Sequence, residues 1–235
     1  MEVTAKKAGA VAVRPETDNG GFPVAGNLRV AQFVRLSMKL LPVGLLVLTL
    51  VSAGVGRAQT SGTCGAPFQA SLKPGASLSI HSRSAGIEIV GTDQAVVRIS
   101  CTVNHEDEAR DVSLRVSGDE HVASLQVRGG PSNNLHIRIE VPRKTNLKVE
   151  MPAGEVKISQ VTGDKGIELR AGDVSLSGLV AAEYRRVNAS VGIGDLHAPA
   201  FNVAKDGFFR SFSTENSSGE YHLSVHVTTG SISLE

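Results

Sequence analysis

A glycine followed by an acidic or small polar residue, and then a short alternating run, recurs through the last ninety or so residues. The copies are Ala153-Gly154-Glu155-Val156-Lys157-Ile158, Ala171-Gly172-Asp173-Val174-Ser175-Leu176, Ile193-Gly194-Asp195-Leu196, Ser218-Gly219-Glu220-Tyr221-His222-Leu223 and Thr229-Gly230-Ser231-Ile232-Ser233-Leu234. Gly154, Gly172 and Gly194 stand 18 and 22 residues apart, and a second set of strand-like segments at 147–151, 167–170 and 184–189 keeps nearly the same period. Two strands and two turns in roughly 20 residues make one coil of a β-solenoid, which buries its apolar side chains and stacks on the next coil about 4.8 Å away. Glycine supplies the tight or left-handed backbone at each corner, and Glu155, Asp173, Asp195 and Glu220 read as turn residues that face water. Residues 145–235 are therefore expected to form a β-solenoid.

Upstream the dominant period is two. Leu78 and Ile80, Ile87 and Ile89, Val97 to Val103, Val112 to Val116, and Leu135 to Val141 are short alternating runs bounded by Gly, Ser, Asp, Asn or Pro, the pattern of half-buried strands. Only 179–187 has a helical composition, and it is too short to stand alone as a helix. The expected fold is all-β: one domain over 64–235, β-helix-like, with 64–142 as an N-terminal β-layer. That layer carries a charged insert, Asn104 to Asp111, and would cap the open end of the solenoid, where uncovered N–H and C=O groups invite aggregation.

Residues 40–56 carry no charge and follow Arg35 and Lys39, a basic stretch before an apolar run, and the run ends in small residues at Gly56-Arg57-Ala58. Seventeen residues fall short of the roughly 20 that a spanning helix needs. Residues 38–58 thus read as a cleaved secretory signal with Gln59 as the mature start, and an uncleaved anchor is the alternative. Residues 1–37 read as an unstructured extension, or as upstream of a true start at Met38. No stable transmembrane helix is expected after cleavage, and the protein is expected in the periplasm, at the cell surface or secreted. Removing 1–58 leaves 17 basic and 20 acidic side chains, which argues against nucleic-acid binding. Cys64 and Cys101 both lie in the exported part, where a disulfide persists, and they are the disulfide candidates, with two buried thiols as the alternative.

Several of these segments resemble a known family. Ser84-Ala85-Gly86-Ile87-Glu88-Ile89-Val90-Gly91, then Val96-Val97-Arg98-Ile99, Ile139-Glu140-Val141-Pro142 with Asn146-Leu147-Lys148-Val149, and the repeated Gly-Asp-Val turns are similar to the bacterial putative-adhesin family of β-solenoid domains of unknown function. The resemblance covers roughly 77–235. It departs at Val191-Gly192-Ile193-Gly194, where apolar residues replace a serine-rich lead, and in 198–212, which breaks the period. It implies an exported, non-enzymatic domain of the cell envelope or surface, and it carries over no catalytic residues.

Sites for chemistry are sparse. His222 and His226 have the spacing of a zinc pair on a helix, but on a strand four residues span roughly 13 Å, too far for one ion. Gly192-Ile193-Gly194 lacks the third glycine and following helix of a phosphate cradle, and G-x-S-x-G is absent. Glu155, Asp173 and Asp195 could stack as an acidic ladder holding calcium, against the simpler reading of solvated turn residues. Tyr184 and Tyr221, with Phe201, Phe208, Phe209 and Phe212, could serve as sugar platforms, and the phenylalanines could equally plug the core. Neither catalytic residues, nor a cofactor, nor a metal are expected. The function expected is a structural or interaction protein with an unidentified protein or polysaccharide partner. A polysaccharide-binding module is the alternative, and a sugar-active solenoid enzyme comes after it.

Overall fold

The computed structural model describes residues 58–131 and 134–235. The extension 1–37 and the expected signal up to Arg57 lie outside them. Fourteen strands follow in order: β1 (Ala58–Thr63), β2 (Phe68–Ser71), β3 (Ser77–His81), β4 (Ser84–Thr92), β5 (Val96–Thr102), β6 (Ser113–Gly118), β7 (Val122–Arg128), β8 (His136–Pro142), β9 (Asn146–Ser159), β10 (Lys165–Ser177), β11 (Tyr184–Ala198), β12 (Val203–Lys205), β13 (Phe208–Glu215) and β14 (Tyr221–Leu234). The charged insert forms a single helical turn, Glu106–Ala109, and 3-10 turns at Ala181–Glu183 and Pro199–Phe201 flank β11. All fourteen strands belong to one sheet, whose main path runs openly from β1 to β12.

The long strands β9, β10, β14 and β11 are parallel neighbours in that order, and each bends at a glycine. Gly154 pairs with Gly172, Gly172 with Gly230, and Gly230 with Gly194, so the four corners form one column. Their φ angles are 134°, 130°, 139° and 133°, a region open to glycine and costly to any other residue. A Cβ at Gly172 would land on the Gly154 carbonyl, and one at Gly194 on that of Gly230. The column therefore needs glycine twice over, for its backbone angle and for its close approach.

The corner also shifts which residues face inward. Before it Leu147, Val149 and Met151 are buried, and after it Val156 and Ile158. Both legs thus feed one apolar cluster that also takes in Ile87, Ile89, Ile137 and Ile139 from the shorter strands. Each such side chain taken out of water contributes on the order of 1.5–3 kcal/mol.

The stacking order departs from the order of the repeats. Gly172 and Gly194 are not adjacent, because β14 lies between β10 and β11 and puts Gly230 in the column. Gly219 and Glu220 sit in the turn that leads into β14, where Gly219 N–H donates to the Asn216 carbonyl at 3.1 Å. The topology accounts for this. After β11 the chain turns at Pro199–Phe201, with Asn202 in the left-handed region, and β12 and β13 run back antiparallel along β11. That return strand covers one side of β11, so the final strand enters on the other, beside β10.

Residues 64–142 join the same sheet. β3 pairs in parallel with the first leg of β9 and β4 with its second leg, while β6, β7, β5 and β8 extend the two legs outward. Cys64, just after β1, and Cys101 in β5 form a disulfide with Cα atoms 4.9 Å apart.

Candidate functional site

In-register pairing lines up the outward positions of neighbouring strands into rows. On the first leg one row runs from Ser117 through Ser124, Ser79, Lys148, Gly166, Ser224 and Asn188 to Ser213. A parallel row carries His81, Glu150, Glu168, His226 and Ser190. Lys148 Nζ donates to Glu150 Oε1 at 2.6 Å, and that hydrogen bond holds the Glu150 carboxyl below its ordinary pKa. His226 Nδ1 lies 2.8 Å from Ser190 Oγ, while His222 N–H donates to Asp164 Oδ1 at 2.7 Å, so the two histidines serve different partners.

On the second leg the row is Thr102, His136, Gly86, Glu155, Asp173, Ser231 and Asp195. Ser231 separates Asp173 from Asp195 and donates to Asp173 Oδ1 through both its hydroxyl, at 2.6 Å, and its N–H, at 3.0 Å. Glu155 is paired with Lys157 at 2.6 Å. A continuous acidic ladder is thereby interrupted, and among the described residues no three His, Cys, Asp or Glu side chains converge as metal ligands.

Gly86 is the one position of this row without a side chain, and the strands leave a hollow of about 520 Å³ around it. The hollow is bordered by Ser100, Thr102, His136 and the ion pairs Arg138–Glu88, at 2.7 Å, and Lys157–Glu155. A second hollow, of about 730 Å³, shares Gly86, His136 and Glu155 with the first and continues to Ala153 and Asp173. The Glu88 carboxylate raises the Arg138 pKa by hydrogen bonding, so this cation stays charged at any working pH.

The aromatic residues divide. Phe201 and Phe212, with ring centroids 5.5 Å apart, are half-buried against the core, as a plug would be. Phe208 and Phe209 are 67% and 86% exposed and close nothing, so the four-phenylalanine plug is reduced to two. Phe209 bends the return strand with φ 52°. Tyr184 is 2% exposed and is no sugar platform, since its hydroxyl is taken up inside by Lys165, 2.6 Å away.

Lys165, which by sequence reads as a solvated counter-charge to the acidic turn residues, is 2% exposed. It occupies the inward register of Leu147 and Leu223, so a strict reading of the alternation would have flagged a lysine at a core position. Its ammonium donates to Tyr184 Oη and to the Gly163 carbonyl, at 3.1 Å. Burial pushes its pKa down to about 8, and burial likewise pushes the Tyr184 phenol above its ordinary value. The hollow at Gly86 had no signal in the sequence, because Gly86 and His136 lie fifty residues apart.

Among the described residues no helix is long and apolar enough to cross a membrane. No family model matches the chain, and none of the curated proteins does. Among solved structures, a putative cell adhesion protein from Clostridium sporogenes is similar at 14% identity and a TM-score of 0.41, over 72% of this chain and 98% of that one.

Proposed function

We propose that this chain is an exported, non-catalytic structural or interaction protein of the bacterial cell envelope or surface, adhesin-like, with its bent strands acting as the coils of a β-solenoid. The observation that carries the reading is the set of outward rows. Eight neighbouring strands in register, the central six of them parallel and the outer two antiparallel, put hydroxyl, amide, imidazole and carboxylate groups side by side. Such a face is suited to contact an extended partner, where many modest polar contacts add up, rather than to enclose a small substrate. Export is supported by the charge-free run 40–56 and the small residues at Gly56 and Ala58. Cleavage before Gln59 leaves β1 short of only its first residue.

Fractionation of cells producing the chain with a C-terminal tag tests this reading, since Glu235 is exposed. The tagged protein is expected in the envelope or the medium, with Gln59 or a near neighbour as its N-terminal residue. A full-length chain in the cytoplasm would overturn the proposal.

A further inference from the structure

We infer that the hollow centred on Gly86 is a binding trough for an extended, uncharged polysaccharide, laid across the strands of the second leg. The inference rests on the interaction role proposed above and names a ligand class for one face of it.

Shape comes first. The row through Thr102, His136, Gly86, Glu155 and Asp173 runs perpendicular to the strands, and the two hollows that share Gly86, His136 and Glu155 make a continuous channel along it. The ligand therefore crosses a strand about every 4.8 Å and meets a polar side chain of the row on each but β4, where Gly86 leaves the hollow. That spacing is on the scale of one sugar ring in an extended chain.

Charge narrows the class. The two cations of the trough, Arg138 and Lys157, are already paired with Glu88 and Glu155, and the remaining carboxylate, Asp173, accepts from the neutral Ser231, so a polyanion finds no free cation there. Hydrogen-bonding capacity is in surplus, because the side chains of Ser100, Thr102 and His136 have no hydrogen-bond partner among the described residues. A hydroxyl-rich ligand satisfies such groups.

A peptide is disfavoured on two counts. Peptides that add to a sheet need an open edge, and β4 is covered on one side by β8 and on the other by β9. Peptides that dock by side chains need apolar anchors, and the exposed large hydrophobic residues, Val122, Val180, Ile193, Phe208 and Phe209, all lie outside the trough. With no aromatic platform, binding depends on summed hydrogen bonds and strengthens with chain length.

Gly86 supplies a clean test. It does not lie in the positive-φ region, and the atoms nearest a Cβ there belong to the His136 ring, with Nδ1 at 2.8 Å. An imidazole at the surface can swing aside, so Gly86→Val fills the trough and leaves the fold in place. Chitohexaose and cellohexaose, with their trisaccharides, are titrated calorimetrically into the exported protein at low and high salt. The expected result is binding of a hexasaccharide that is insensitive to salt and weaker for its trisaccharide. Gly86→Val should weaken it at least tenfold with an unchanged urea midpoint. His136→Ala and Thr102→Val should each weaken it about 2- to 10-fold, as loss of one hydrogen bond does, and they carry the test if Gly86→Val misfolds. Absence of binding to both hexasaccharides at millimolar concentration, full binding by the folded variants, or binding only to a charged glycan at low salt would each overturn the assignment. Envelope fractionation reads the interaction role separately, so a protein found in the envelope that ignores both glycans loses the trough and keeps the role.

Discussion

The same rung is built in two ways in this molecule. In β9, β10, β14 and β11 one continuous strand of 13 to 15 residues serves both legs and bends at a glycine. On the other side of β9 the rung is split, β3 lying against the first leg and β4 against the second, with the chain broken at Ser82-Arg83. Ala85 stands where the glycine column would continue, since it pairs with Gly154. A break lets the chain turn in residues of ordinary conformation, so no glycine is required there. The break has its own cost, because Ser82 Oγ is buried at the corner without a hydrogen-bond partner. The continuous corner concentrates its demand on one residue type, and the split corner spreads it over loops and, further out, a disulfide.

The largest expected effect breaks the continuous corner. Gly172→Val combines an unfavourable φ with overlap on the Gly154 carbonyl, and it should destabilise by more than about 3 kcal/mol or abolish folding. A small shift in urea midpoint would mean that the column is not structural. Next comes the staple of the split region. Cys64→Ser opens a loop whose ends are 37 residues apart, and the expected loss is about 3–4 kcal/mol. Reduction of the wild type should reproduce it, and if dithiothreitol leaves the midpoint where it was, the disulfide contributes nothing.

A pH-dependent prediction probes the continuous region away from its corner. The pKa of Lys165 falls from 10.5 to about 8 on folding, so between these values the unfolded chain holds more protons than the folded one and stability rises with pH. The raised pKa of Tyr184 acts in the opposite direction once the phenol of the unfolded chain ionises near pH 10. Wild type should therefore gain on the order of 1–3 kcal/mol from pH 8 to pH 10 relative to Lys165→Met. Stability curves that run parallel over that window would show Lys165 to be solvated. The smallest effect sharpens the account of the split corner: Ser82→Ala removes a hydroxyl that has no partner and should leave stability unchanged or raise it by up to about 1 kcal/mol. A loss of that size would reveal a bonded hydroxyl and remove the cost assigned to the break.

Much of the fold was legible. The alternation marks β3 to β6, β8 to β11 and β14, because a half-buried strand must repeat every two residues, and it leaves β1, β2, β7, β12 and β13 unread. The recurrence gives Gly154, Gly172, Gly194 and Gly219 as repeat turns, whereas the fourth glycine of the column is Gly230 and not Gly219. Nothing local separates those two, since Gly219 closes a turn with Asn216 while Gly230 stacks on Gly172 and Gly194, contacts made 58 and 36 positions away in the chain. The candidate site was less legible. Glu155 and Asp173 read from sequence as turn residues at a shared position, but the groups that make a trough with them, Gly86, His136 and Thr102, come from three other strands.

Composition and period by themselves determined that the described residues are all-β, that residues 59–235 are slightly acidic, and that glycine recurs at strand corners. These follow from what each residue does within a few positions of itself: the side chain alternates, the glycine opens φ, the charge stays in water. The tertiary structure alone decided the order of the rungs, the burial of Lys165 on Tyr184, the exposure of Phe208 and Phe209, and the gap at Gly86. Those depend on which strand lies beside which, and strand order is set by the summed burial and hydrogen bonding of whole strands, which no short stretch of sequence records.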